Sequence, residues 1–579
     1  MTSKKYWLEK SKLVYWNKKP TIAIKNKSRN YVKWFPDGKL NIFDNCVTKN
    51  LENGLKDKIA IYDIGKDKKI RSFTYEFLSD AIKNFSQFLT KKLDSKSKNP
   101  KIMIHGSASI ETTVTMMACA NLGIHFSVIF EDLAPEAILN RIKLIKPVLF
   151  ITRINNKEFS KKFSKNIMKK KLKFIYINSE IISKNVCKNI SNKKKSYDSN
   201  RDFFTLFTSG STGAPKGIVH SSGGYLVATK LTCQGLFGMN KNSVVVTASN
   251  AGWLNGHTYA LFGPLSLGAT TILLEDPMLL LDEMLLRKVL NLKVSILYLP
   301  VTIIRLMKSL FHDKNFKTKF LKTLGSMGEH LAPSVAEWFA NSFTNKNKAI
   351  INAYYQTENG AIISSPSYKD KISKVPHGSV GKPVTKYLKI NKILPGKKAE
   401  IKLKTSWPGN MKRILNGHKE WNKYWDKKGN FRMFDLATKK NGNFFVHGRN
   451  DDVINVRGHR IGCEEIESVI LKINKIHECC VVSLPDKYEG ETLYYFVAAK
   501  SRKLNTEIRN KIVENFGSFA IPARVYYVKE LPKTRSGKIL RRLLRTIILK
   551  PRTIKNSELN VMANKNIFNE IVKEVEKNE

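Results

Sequence analysis

The seven cysteines of this sequence, at positions 46, 119, 187, 233, 463, 479 and 480, form no C-x-x-C pair. An odd, scattered set excludes a disulfide frame and a zinc site, and predicts reduced thiols, mostly in core positions. No apolar run approaches the ~20 residues that cross a bilayer. The opening, MTSKKYWLEKSKLVYWNKK, lacks an apolar stretch and a small-residue cleavage site, so it does not read as a secretory signal and a cytoplasmic location is expected. Acidic residues are scarce as well: 48 against 101 Lys and Arg, a formal net charge of +53. A nucleic-acid partner is one reading of that balance. The lysines, however, spread over the whole length among abundant Asn and Ile, with no zinc finger, RNP-like aromatic motif or Arg-rich arm. A chain-wide drift toward Lys, Ile and Asn is the favoured reading, and nucleic acid is not expected as a partner. The charge still draws anionic substrates inward at low salt.

With 579 residues the chain is too long for one core and predicts two or more domains. Short β-branched runs recur: KIMIH at 101–105, VLFIT at 148–152, KFIYIN at 173–178, SVVVTAS at 243–249, TTILL at 270–274 and VSILYL at 294–299. Helix-like segments such as 111–122 and 280–291 lie between them. This alternation predicts an α/β fold with parallel sheets covered on both faces. The lysine-rich segment 184–200 reads as a surface connection, a boundary falls near 449–452, and the closing IFNEIVKEVEKNE carries a helical pattern.

One stretch carries more chemistry than the rest: Thr208, Ser209, Gly210, Ser211, Thr212, Gly213, Ala214, Pro215, Lys216, Gly217. A Walker A loop needs G-x-x-x-x-G-K-[ST], and this spacing does not match it. Glycines let a backbone approach an anion, while hydroxyls and N–H groups supply donors. Such a loop can wrap a polyphosphate without a helix dipole beneath it. The competing reading is a flexible linker, against which the order T-S-G-S-T-G-x-P-K-G argues.

That order resembles the phosphate loop of the adenylate-forming superfamily. YYQTENG (354–360), GRNDDVINVRGHRIGCEEIES (448–468) and LPKTRSGKILRRLLR (531–545) resemble further motifs of the same superfamily, in the same order. WFPDGKLNIFDNCV (34–47) and GWLNGHTYALFGPLSLGATTILLE (252–275) are similar to its acetyl-/propionyl-CoA synthetase group. The resemblance implies a large N-terminal domain, residues 1–450, of two β-sheet subdomains and a distorted β-barrel. It implies a small mobile α+β domain at 451–549 and a helical tail at 550–579.

The implied reaction joins a carboxylate to the α-phosphorus of ATP, releasing pyrophosphate, and then passes the acyl group to the thiol of coenzyme A. By the same resemblance Glu358 holds Mg²⁺, a cation that prefers hard oxygen ligands. Thr357 bonds the α-phosphate. Gly328, Glu329, Asn352 and Tyr354 surround adenine, and Asp435 accepts from the ribose hydroxyls with Arg449 assisting. His330, Ala353, Tyr355, Gln356 and Arg460 complete the nucleotide contacts. Lys538 neutralises the approach of two anions, an effect felt mainly in the transition state. Asp451 is the expected hinge about which the domain turns to bring Gly458 to the thiol channel; a charged residue in an exposed loop is the other reading of that position.

Two regions depart from the group's pattern. Around the acyl pocket (Trp253, Leu254, Asn255, Met327, Tyr355), the group has Trp where Tyr355 stands and smaller or hydroxylated residues at its neighbours. A substrate of about two to four carbons is expected, since size discrimination is only ~1–3 kcal/mol per methylene. The polar groups of Tyr355 and Asn255 suggest a hydroxy or keto substituent. Around coenzyme A, Glu131-Asp132 replace a glycine pair, Asn255 a threonine, Arg457 a serine and Val513 an arginine, with Arg153 and Lys157 as alternative cations. A short-chain acyl-CoA synthetase is the expected function. An adenylating enzyme that loads a carrier-protein thiol, and a basic nucleotide-binding protein without turnover, are the alternatives.

Overall fold

The computed structural model describes residues 2–28, 30–94, 99–131, 133, 135–154, 172–184, 195–209, 215–344, 348–394, 396–415, 417–449, 453–456, 459–486, 490–499, 501–534, 537–550, 554, 559 and 562–577. Two seven-stranded sheets dominate. In space the first runs Arg413–Ile414, Pro215–Ser221, Asp202–Ser209, His125–Ile129, Lys101–His105, Leu149–Thr152, Lys173–Tyr176. The second runs Ile351–Asn352, Thr323–Met327, Ile296–Pro300, Val244–Thr247, Thr270–Leu274, Ile59–Ile64, Ile70–Thr74. Its first six strands are parallel and the last is antiparallel. The strand sequences explain the burial. TTILL and HFSVI are buried at every position, as strands covered on both faces must be.

The expected strands stand within two residues of their sequence positions. The segment 280–291 is divided instead into a 3₁₀ turn, Pro277–Leu281, and a helix, Glu283–Asn291. Asp282 causes the division: its carboxylate accepts from the Leu285 backbone N–H at 3.0 Å, capping the helix and stopping the turn. The reading of 184–200 as surface holds for Lys195, Ser196 and Asp198, which are exposed, and needs correction at its end. Residues 185–194 lie outside the described residues, but Tyr197–Asp198 pairs antiparallel with Lys39–Leu40 and Ser199 is fully buried, its hydroxyl donating to the Phe35 carbonyl at 2.6 Å. The polarity of Ser199 and Asn200 serves internal hydrogen bonds rather than water.

A three-stranded antiparallel sheet, Ala399–Leu403, Phe431–Lys440 and Asn443–Arg449, stands where the barrel is expected. Beyond it Ile476–Asp486, Gly490–Ala499 and Arg524–Val528 form a separate sheet. Its two faces carry two apolar clusters drawn only from residues after 453, and the terminal helix Phe568–Glu576 inserts Ile571 and Val575 into one of them. The six described cysteines are all buried as thiols, and burial pushes that of Cys46 up to about 12. Cys187 lies outside the described residues.

Candidate active site

Parallel strands of an open α/β sheet present their carboxyl ends to ligands, and Gly328, Glu329 and Asn352 stand at those ends of the second sheet. Thr323–Met327 runs into Gly328, whose φ of +90° suits glycine. Glu329 follows, ion-paired with the buried Arg305 of the helix Val301–Leu310. Burial alone would lower the Arg305 pKa, but Glu329, Glu478 and Glu467 outweigh it. The next strand, Ile351–Asn352, is locked to its neighbour by Ser326, whose hydroxyl donates to Asn352 Oδ1 at 3.1 Å and whose carbonyl accepts from Ala353 N.

From there the chain makes the turn Thr357–Asn359, capped by Gln356 and Asn359. Asp435, 8% exposed, accepts at Oδ2 from the Tyr354 hydroxyl and from Gln356 Nε2, both at 2.7 Å. Across the sheet the register sets Asp435 opposite Arg449. Thr357 is fixed through its carbonyl, which accepts from His220 Nε2 at 2.8 Å. Full burial pushes His220 down to about 4, so the ring is neutral and its N–H is available for that bond. Glu358 is also buried. Its Oε1 accepts from the Tyr424 hydroxyl at 2.6 Å, and its carbonyl from Met411 N at 2.6 Å.

The phosphate-loop motif bridges two antiparallel strands, with Thr208 opposite Lys216 and Ser209 opposite Pro215. Gly210, Ser211, Thr212 and Gly213 lie outside the described residues. Lys216 pairs with Glu420 at 2.8 Å and stands 5.9 Å from the ring of Tyr424. Tyr424 therefore links the loop's lysine to Glu358. Among the described residues no group of three or more His, Cys, Asp or Glu is arranged to hold a metal. A lone buried carboxylate still fits Mg²⁺, which usually binds one or two carboxylates and completes its shell with water and substrate phosphates.

Beside the candidate nucleotide residues, the Tyr355 hydroxyl donates to Asn255 Oδ1, and Asn255 Nδ2 abuts the sulfur of the buried Met327. Leu254 is buried, and Trp253 packs on Phe130 with ring centres 4.9 Å apart. His330 sits next to Glu329 in the loop, without a cap or strand of its own.

Lys538 is exposed on a tight loop in which Gly537 N donates to the Thr534 carbonyl at 2.9 Å and Thr534 N to the Lys538 carbonyl at 2.7 Å. The Thr302 hydroxyl, in the first turn of Val301–Leu310, donates to the Gly537 carbonyl at 3.2 Å. Ser309 and His477 meet at 3.1 Å along the same helix. The loop of Lys538 is thus docked just past the end of strand Ile296–Pro300, whose parallel neighbour Thr323–Met327 leads into Gly328.

The expected coenzyme A contacts are less complete. Asp132, Lys157, Arg457, Gly458 and the hinge candidate Asp451 lie outside the described residues, and Val513 is exposed. Only backbone positions are described for Arg460, in the strand His459–Gly462. Arg153 is enclosed by Glu131 at 3.0 Å, Glu111 at 3.3 Å and Glu275 at 3.4 Å. Sequence reasoning missed Thr302, Arg305, His220, Tyr298 and Tyr424, none of which sits in a recognisable motif.

Comparison with known proteins agrees with this geometry. The family model "AMP-binding enzyme" matches residues 49–403, that of the AMP-binding enzyme C-terminal domain residues 465–538, and that of the acetyl-coenzyme A synthetase N-terminus residues 2–46. The chain is 30% identical to acetyl-coenzyme A synthetase of Helicobacter pylori (strain P12), over 99% of this chain and 93% of that one. It is 30% identical to the protein of that name from Vibrio cholerae serotype O1, over 94% and 90%. Acetoacetyl-CoA synthetase from Streptomyces lividans shares the fold with a TM-score of 0.81 at 15% identity, over 99% and 92% of the two chains. Anthranilate CoA ligase AuaEII, solved with anthranoyl-AMP, gives 0.76 at 19% identity, over 88% and 97%. The matched family models and the full-length relatives make this chain a member of the AMP-binding, adenylate-forming enzyme family.

Proposed function

We propose that the chain is an AMP-forming short-chain acyl-CoA synthetase. A carboxylate oxygen bonds the α-phosphorus of ATP while the bond to the bridging oxygen breaks and pyrophosphate leaves. The thiolate of coenzyme A then bonds the acyl carbon and AMP leaves. Asp435, already oriented by Tyr354 and Gln356, takes the ribose hydroxyls, and Gly328 lets the adenine lie close to the backbone. Thr357, held by His220, donates to the α-phosphate. Glu358, steadied by Tyr424, is the residue that would hold Mg²⁺, whose charge offsets that of the phosphates. Lys538 places its ammonium between carboxylate and α-phosphate, where the two anions meet.

The observation that carries this reading is the docking of the Lys538 loop on Thr302, in the same helix as the Arg305 that pairs with Glu329. Residues 451–549 act as the moving domain and withdraw the lysine before thiol attack. Acid-dependent ATP–pyrophosphate exchange, followed by coenzyme A-dependent thioester release, tests both halves. Absence of exchange with every acid of two to four carbons sinks the reading.

A second reading is favoured by one observation. Glu111, Glu131 and Glu275 engage the Arg153 guanidinium and leave it poorly suited to a phosphate. A thiol carried on a protein, lacking the 3′-phosphate of coenzyme A, would not need that cation. Exchange without any acyl-CoA product would select it. No described helix is long and apolar enough to cross a membrane, and we place the enzyme in the cytoplasm, acting on small molecules rather than nucleic acid.

A further inference from the structure

The surroundings of Tyr355, two residues before Thr357, are apolar on most sides. Phe237, Tyr259, Met327, Ile351 and Ile362 belong to one buried cluster, with Tyr355 packed against it. One edge differs. Asn255 Oδ1 takes the Tyr355 hydroxyl, which fixes the amide so that its N–H₂ turns away from Tyr355. Among the described residues the neighbour recorded for that nitrogen is the sulfur of Met327, and a thioether is a weak acceptor. Tyr298, fully buried, sets its hydroxyl beside that of Tyr355. The Tyr259 ring stands edge-on to that of Tyr355, with centres 6.2 Å apart. Both Asn255 and Tyr355 are partly exposed.

We propose that the Asn255 amide, held by Tyr355, is the specificity-determining donor of this site, and that the acid it selects carries a hydroxyl or keto oxygen on carbon 2 or 3. The inference rests on the adenylating reading above. Two residues of chain, about 7 Å, separate Tyr355 from Thr357, so an acid whose carboxylate reaches the α-phosphate brings its second and third carbons to the amide. An oxygen there gives the N–H₂ a strong acceptor. A methyl or methylene leaves it against sulfur alone, and sites built around a polar donor discriminate strongly against analogues that lack the matching group.

The test is pyrophosphate exchange by the full-length protein on acids paired by length: 3-hydroxypropionate and lactate against propionate, acetoacetate and 3-hydroxybutyrate against butyrate. At least one oxygenated acid is expected to exceed its unsubstituted partner in kcat/KM by tenfold or more. Asn255→Leu should bring that ratio to about one or below. Tyr355→Phe, which frees the amide to turn, should narrow it, and this variant carries the test if Asn255→Leu does not fold. Exchange with plain propionate or butyrate as efficient as with every oxygenated partner overturns the inference and leaves the adenylating reading standing. Silence with all acids removes both.

Discussion

The Thr302 hydroxyl donates to the Gly537 carbonyl at 3.2 Å, fastening the loop of Lys538 to the helix that begins where strand Ile296–Pro300 ends. The approach is close: a Cβ at Gly537, where φ is +83°, would stand 2.7 Å from that same hydroxyl. The bond belongs to the docked arrangement, so it should matter for acyl-adenylate formation and not for thiol attack. Thr302→Val removes it with little change of shape. A loss of about 1 kcal/mol, roughly fivefold in exchange rate, is expected, with thioester formation from supplied acyl-adenylate unchanged. Equal slowing of both halves would place Thr302 in general folding instead.

Tyr424 reaches Glu358 from 66 residues away. With the hydroxyl removed, the carboxylate keeps its charge and loses its orientation. Tyr424→Phe should raise the Mg²⁺ concentration for half-maximal exchange several-fold while the thioester half, started from acyl-adenylate, is spared. An unchanged Mg²⁺ dependence contradicts the role given to Glu358.

Asp435 accepts two hydrogen bonds inside the protein and is assigned two more from ribose. Charge-assisted bonds are worth about 1.5–3 kcal/mol each. Asp435→Ala should therefore raise the ATP KM by at least tenfold, with a smaller effect on the KM for the acid. A shift confined to the acid would move Asp435 out of the nucleotide site.

The unevenness of what the sequence revealed has a physical cause. Glu358, Lys538 and the 208–217 loop drew attention because each lies in a short motif whose local order carries chemistry. The parallel strands were legible because full burial demands unbroken apolar runs such as TTILL. Tyr424 and Thr302 were not, since their roles come from contacts across 66 and 235 residues of chain. Ser199 was misread for the same reason: a serine in a lysine-rich stretch signals solvent until a partner 164 residues away takes its hydroxyl. The Arg153 cluster is another such case, assembled from Glu111, Glu131 and Glu275, which no local pattern joins.

Buried histidines set a pH dependence. Burial pushes His125 and His220 down to about 4 and His257 to about 3, below the ordinary 6.5. Between pH 6.5 and 4 the unfolded chain binds more protons at these rings than the folded one, so their contribution is lost as pH falls through that window. Asp63, pushed up to about 7 by burial and Glu111, acts the other way. Three groups against one predict lower stability at pH 5.5 than at 7.5, by about 2 kcal/mol. Denaturant unfolding at the two pH values checks it. Equal or greater stability at pH 5.5 would mean these rings are not held neutral.

Pyrophosphate exchange by Lys538→Ala, set beside its thioester formation from supplied acyl-adenylate, tests the central claim most directly. Exchange should fall by about 10²–10³ while the thioester half persists, because the lysine acts only when acid and ATP meet. Exchange at the unsubstituted rate would contradict the account.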